Sequence, residues 1–499
     1  MKKEIIYSVI ITVLYATITL VAVFHHEIWA DEAQVWMLCK HLSIPQLINH
    51  LHNEGHPSLM YLITMPFAKL FSNIIYMQLI CWIAMCTAVF LLMYKSKFPL
   101  IVKIAIISSA GFLYFLPIIA RSYSLIPPLI FITAILYSKR RENPILYSIP
   151  LFLLANTHAI MFGFVLILAI LFLCETIKER SFSKTKILSN FIIFLGLILV
   201  ILQLHNTTSS NLFITFHPNQ ILINFIKVPL FFFINLYNKM ITIEKSLFCP
   251  LLDIAAIFTL ITTFVLLFVN LYFNNKKLFL ISLIGIGFQF GIYIFTYSAN
   301  TYVTRIFSAL IILIFCFWIL YEQNDFNRKP MICNKKIATI ILCIFFFLTS
   351  YNGVNYYIMD YKYNYAGAKE AAEFIRKNIN KNSKLLIDNE PFMISLAYYL
   401  QDEYKLFSVV RNRNLDYVIW DKINGQRFSN KAWYHYSKLT QEEINSDIYL
   451  IRSFCDEKNN KKFKYKIEDE YKNSFKLLFS STKTIEPNEG YRIYKYIKN

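Results

Sequence analysis

The chain has 499 residues, of which 56% are apolar and only 16% charged, with a formal net charge of +19. A soluble globular protein runs nearer a quarter charged. Composition therefore excludes a disordered, a collagen-like or a small disulfide-framed chain, and it argues against an ordinary soluble enzyme.

The apolar residues come in blocks, several of them reaching the roughly 18 residues of a membrane span. The first, about Glu4 to Phe24, follows Lys2 and Lys3 and has no small-residue cleavage site, so it reads as a retained helix with a cytoplasmic N-terminus. Further blocks fall near 74–94, 99–120, 124–138, 144–157, 159–175, 187–204, 251–273, 278–296, 303–321 and 337–351, giving about 11 spans. Two apolar stretches, Pro57–Phe71 and Ile221–Tyr237, read instead as interfacial or re-entrant helices. They lie within long outer loops at about 25–73 and 205–250. With this threading, 18 Lys and Arg sit at cytoplasmic ends and seven on the opposite side before the tail. That asymmetry fits the positive-inside rule. It makes a nucleic-acid partner unlikely and points to the membrane itself. An odd number of spans sends the tail outside.

Composition changes near residue 352. The last 148 residues hold 25 of the 50 Lys and Arg and 19 of the 31 Asp and Glu. Helical spacing at Ala368–Asn380 and Phe392–Leu400 is interleaved with short strand patterns at 384–387, 405–410, 415–420, 448–451, 476–479 and 491–497. The expected architecture is a polytopic α-helical membrane domain over 1–351 and a soluble extracytoplasmic α/β domain over 352–499. No Gly-rich phosphate loop follows any strand. The nine Cys form no Cys-x-x-Cys pair, which leaves zinc and redox motifs without support.

The unusual polar residues gather on the predicted outer face. The first outer loop carries Asp31 and Glu32, then Glu54, Gly55, His56 and Pro57. The chain returns to that face at Arg121-Ser122-Tyr123, at Asn156-Thr157-His158 and at Thr304-Arg305. Asp31 is either a helix N-cap or, if desolvated, a general base. Glu32 and Glu54 are candidate ligands of a divalent metal. Glu54 and His56, held by the Gly55–Pro57 turn, are either a snorkelling interfacial pair or part of a site. Arg121 and Arg305 are either head-group anchors or phosphate grips. His158 is either a hydrogen-bonded bundle residue or a site residue.

These residues together resemble the GT-C class of polytopic glycosyltransferases, on the branch of the protein O-mannosyltransferases and lipid A aminoarabinose transferases (glycosyltransferase family 39 and relatives). The resemblance rests on Asp31-Glu32 after the first helix and on Gly55-His56-Pro57 before an apolar helix. It extends to Ala120-Arg121-Ser122-Tyr123, Thr157-His158 and Tyr302-Val303-Thr304-Arg305. It implies transfer of a hexosyl or pentosyl group from a polyprenyl-phosphate donor to a hydroxyl of a lipid, glycan or protein acceptor, with inversion. Asp31 then matches the base and Glu32 its acidic neighbour. Arg121 and Arg305 fall near the donor phosphate, and Glu54, His56, Tyr123 and His158 line the substrate site. The chain departs from the pattern at Ser58, where a second Pro is usual, and at Ile306, where a Tyr is common. The alternatives are a flippase or transporter, and a polymerase or ligase for lipid-linked sugars. A transporter would show ionisable pairs at mid-membrane depth, whereas Asp253 and Gln289 are the few polar residues there.

Overall fold

The computed structural model of the chain describes residues 2–180, 182–205, 218–237, 250–297, 303–326, 334–387, 389–401, 403–421, 430–444, 446–453 and 474–497. Tyr302 and most of the 205–250 loop outside Pro218–Tyr237 lie beyond these.

The first helix, α1 (Lys2–His25), ends at the loop that carries the acidic residues. Three short helices fill that loop: α2 (Ala30–His41), α3 (Ile44–Glu54) and α4 (Leu59–Leu70). Gly55 closes α3 at φ 68°, a left-handed position that suits glycine. α4 has 12 residues. At 1.5 Å per residue it covers only about 18 Å, short of a bilayer core. The chain turns from α2 into α3 at Leu42–Ser43.

The bundle continues with α5 (Ile75–Lys95), α6 (Leu100–Ser108), α7 (Ile126–Tyr137), α8 (Pro144–Ala155), α9 (Phe162–Lys178), α10 (Lys184–Gln203) and α11 (Pro218–Tyr237). It closes with α12 (Pro250–Asn274), α13 (Lys276–Ile292), α14 (Val303–Gln323) and α15 (Lys335–Lys362). Among the described residues, eight helices are long and apolar enough to cross a membrane: α1, α5, α9, α10, α12, α13, α14 and α15. The chain is a multi-pass membrane protein. The other three of the 11 expected blocks form shorter or broken helices. The 99–120 block stops at Ser109 and rewinds as a π-turn over Gly111–Phe115, while α7 and α8 have 12 residues each. α14 is the buried axis of the bundle, with Ile306 to Tyr321 almost wholly enclosed. α15 packs tightly on the π-turn, since a Cβ on Gly353 would lie 2.6 Å from the Ala110 Cα.

α15 runs past residue 351 to Lys362, and the α/β domain follows directly. Its elements are α16 (Ala368–Asn378), β1 (Lys384–Ile387), α17 (Glu390–Leu400), β2 (Leu406–Ser408), β3 (Arg413–Asn414), α18 (Asn430–Ile444), β4 (Ile448–Ser453), β5 (Phe475–Ser480) and β6 (Tyr491–Tyr496). They make one mixed sheet in the order β3-β2-β1-β4-β6-β5, parallel across β2-β1-β4 and antiparallel elsewhere. The strand expected at 415–420 is a loop, and β3 is a two-residue stub before it. The hydrophobic core of this domain is continuous with the loop helices. Ala33, Trp36, Leu47 and Met65 share one buried cluster with Ala372, Leu396 and Ile493. Two tyrosines of α17 fix the seam: Ile28 N–H donates to Tyr399 Oη and Ile74 N–H to Tyr398 Oη, both at 3.1 Å.

Candidate active site

α2 opens at Ala30, with Trp29 as its N-cap, so Asp31 sits in the first helical turn and is not the cap. Its neighbour Glu32 points the other way and is fully buried. One Glu32 oxygen accepts from Ala120 N–H at 2.6 Å, and the other accepts from Trp29 N–H at 3.3 Å and from His26 Nε2 at 3.2 Å. Glu32 thus ties the segment carrying Arg121 to the helix carrying Asp31. Behind it, His26 Nδ1 meets Asp360 Oδ2 at 2.7 Å, and Tyr114 Oη donates to the same oxygen at 2.8 Å. Burial alone would lower the His26 pKa, but Asp360 and Glu32 on either side outweigh it and raise it to about 10.

Asp31 is ion-paired with Arg121. Arg121 Nη2 also donates to His56 Nε2 at 2.9 Å. Burial first, then Arg121 and Arg305, hold the His56 pKa well below its ordinary value. His56 is therefore neutral, its Nε2 accepts, and its proton sits on Nδ1. His158 lies against it, ring centroids 4.5 Å apart, and is also held neutral, by burial and then by His56 and the two arginines. His158 Nδ1 accepts from Ile160 N–H at 3.2 Å, so its Nε2–H donates to Tyr123 Oη at 2.7 Å. Tyr123 Oη also accepts from Arg305 Nε at 2.9 Å. Each guanidinium is thereby braced by an uncharged partner.

Two cavities flank this constellation, and Asp31, Arg121 and Arg305 line both of them. One, a narrow cleft of about 20 Å³, faces the bundle through Phe115, Ile119 and Tyr123 and is also lined by Trp29, Tyr365 and Glu486. The other, of about 190 Å³, is lined by Gln34, Val35, Glu54, His56, Tyr61 and Trp420. Of the residues singled out from sequence, six line one or both cavities. His158 stands behind the cavities through Tyr123 and His56, and Glu32 faces away. Glu54 Oε1 is held by Gln34 Nε2 at 2.8 Å and His50 Nε2 at 3.2 Å. Glu32 and Glu54 thus have separate protein partners. Among the described residues no three His, Cys, Asp or Glu side chains come together as a metal-ligand set.

Sequence reading missed Gln34, Tyr61 and Trp420, the His26–Asp360 pair and Glu489. The buried Glu489 carboxylate accepts from Ala30 N–H at 2.9 and 3.0 Å and from Ser395 Oγ at 3.0 Å, at the mouth of α2. His26 stood beside the acidic run in the sequence, but nothing there announced Asp360.

No family model matches the chain, and no curated protein matches it. Among solved structures it is similar to ArnT from Cupriavidus metallidurans, in a crystal structure bound to undecaprenyl phosphate. The two chains are 9% identical, with 98% of each covered and a TM-score of 0.48. At that identity the likeness carries no residue role across.

Proposed function

We propose that the chain is an inverting membrane glycosyltransferase that moves a sugar from a polyprenyl-phosphate donor to an acceptor hydroxyl on the extracytoplasmic face. The observation that carries this reading is the wall of Asp31, Arg121 and Arg305 shared by two cavities. Transfer between two bound molecules needs a base and a charge trap where both molecules meet. The donor enters on the Phe115 and Ile119 side, which adjoins the bundle and so the lipid. The acceptor occupies the opposite cavity.

Asp31 takes the acceptor proton as the hydroxyl oxygen attacks the anomeric carbon. The new C1–O bond forms as the C1–O bond to phosphate breaks on the far side, and polyprenyl phosphate leaves. Arg121 and Arg305 neutralise the negative charge that grows on the departing phosphate. Both are held in place before reaction, Arg121 by His56 and Arg305 by Tyr123. Such pre-set donors need little reorganisation at the transition state. The surplus of Lys and Arg at the opposite span ends supports a cytoplasmic N-terminus and an external α/β domain.

The test pairs gene deletion with Asp31→Asn complementation, read by mass analysis of lipid-linked sugars and surface glycans. Deletion is expected to accumulate one sugar-loaded polyprenyl phosphate and to remove one glycan substituent, and Asp31→Asn to reproduce both while inserting normally. Full complementation by Asp31→Asn would exclude the carboxylate from the chemistry.

A further inference from the structure

The cavity away from the bundle is roofed by the α/β domain, and the roof is fixed at several points. Gln34 pairs with Val418 like a neighbouring strand, its Oε1 accepting from Val418 N–H and its Nε2 donating to Val418 C=O, both at 2.9 Å. Arg413 Nη2 donates to Tyr417 C=O at 2.7 Å, and Arg411 Nη2 to Ile419 C=O at 2.9 Å. Tyr417 stacks edge-on against His50 with ring centroids 5.3 Å apart. The loop 415–421 is therefore set in advance, and it delivers Trp420 to the cavity wall.

The rest of the lining is polar and under-satisfied. Tyr61 Oη and His56 Nδ1 are buried with no hydrogen-bond partner, on side chains that are 1% and 8% exposed. Because His56 Nε2 accepts from Arg121, Nδ1 carries a proton and is a donor. Glu54 and Asp31 add carboxylate acceptors. Buried polar groups without partners carry a desolvation cost that a hydroxyl-bearing ligand relieves. A pyranose meets each requirement: a C–H face for the indole, and hydroxyls that both donate to carboxylates and accept from Tyr and His. The four charged side chains of this lining, Asp31 and Glu54 against Arg121 and Arg305, balance formally, which suits an uncharged ligand.

We infer that this cavity binds a carbohydrate acceptor, and that Trp420 on the 415–421 loop is the residue by which the α/β domain selects it. The inference rests on the proposed glycosyltransferase reading and names the acceptor class of that same site. It assigns the α/β domain a part in substrate choice, beyond covering the membrane domain.

The test uses the full chain in nanodiscs and two independent probes. Undecaprenyl phosphate binding, followed by native mass spectrometry, examines the donor reading. Quenching of tryptophan fluorescence by methyl glucoside, methyl mannoside, methyl galactoside and N-acetylglucosamine examines the acceptor inference. At least one sugar is expected to give a saturable, millimolar response that Trp420→Phe abolishes and Glu54→Gln weakens about tenfold. Undecaprenyl phosphate binding is expected to be unchanged in Trp420→Phe. Lipid binding without any saturable sugar response, or a response that survives in Trp420→Phe, overturns the inference and leaves the donor reading standing. A saturable response to a Ser/Thr peptide in place of the sugars also overturns it. Loss of undecaprenyl phosphate binding in the wild-type chain sinks the donor reading itself.

Discussion

Arg121 and Arg305 face the same cavities but are braced differently. His56 Nε2 accepts a hydrogen bond from Arg121, whereas Arg305 leans on Tyr123 Oη, which His158 steadies from behind. Both histidines are held neutral, so the brace adds no positive charge and leaves the arginines to meet the phosphate. Tyr123→Phe keeps the ring and removes the acceptor of two hydrogen bonds. Losing a hydrogen bond to a charged group costs roughly 1.5 kcal/mol or more, so kcat/KM is expected to fall about tenfold with little change in melting temperature. A transfer assay with the donor found in the deletion strain checks this, and an unchanged rate would show that Tyr123 does not place Arg305. The same neutrality predicts that the pH–rate profile has no histidine limb near 6.5. The arginines and His158 were legible in the sequence because charge or imidazole at the end of an apolar run is conspicuous. Gln34 was not, because an amide inside a helix carries no such contrast and its partner Val418 is 384 positions away.

At the scale of elements, α2 decides the geometry because Asp31 rides on its first turn. The N–H groups that open a helix need acceptors, and a negative charge there is favoured by the helix dipole. Glu32 supplies one acceptor to Trp29 N–H, and Glu489 of the α/β domain supplies the other to Ala30 N–H. Burial, offset in part by Ala30 N–H, pushes the Glu489 carboxyl well above the usual carboxylate range. Glu489→Ala removes the cap, which is worth about 1 kcal/mol, and frees the start of α2. It is expected to lower kcat several-fold while donor KM stays near wild type; Glu489→Gln keeps an acceptor oxygen and restores most of the rate. Equal damage from both variants would mean that the carboxylate does more than accept. Such a contact could not be read from sequence, since its partners stand 459 residues apart. The misread loop has a local reason: Leu415, Tyr417 and Ile419 alternate as a strand would, yet the backbone at Val418 pairs with the Gln34 side chain and not with another strand. The Asp31 cap failed for a similar reason, since Trp29 and not the acidic residue takes the N-cap position.

Across the whole molecule, one buried histidine joins parts that the chain order keeps apart. His26 follows α1, touches Glu32 on α2 and meets Asp360 near the end of α15, where Tyr114 of the π-turn also converges. Two carboxylates would face each other across this point without the imidazolium. A buried ion pair contributes little when whole but costs several kcal/mol when one partner is removed. The pH dependence follows from the raised pKa. Unfolded, His26 titrates near 6.5; folded, near 10. Between those values the folded chain holds a proton that the unfolded chain releases, so this contribution to stability is complete below 6.5 and declines as pH rises to about 10. Other groups also titrate at the upper end, so the comparison is with His26→Gln. The melting temperature of the wild-type chain in detergent is expected to exceed that of His26→Gln by a constant margin below pH 6.5, and the margin should shrink steadily towards pH 10. A margin that stays constant over that whole range would mean that His26 carries no charge in the folded protein, and that the join between α1, α2 and α15 is an uncharged hydrogen-bonded one.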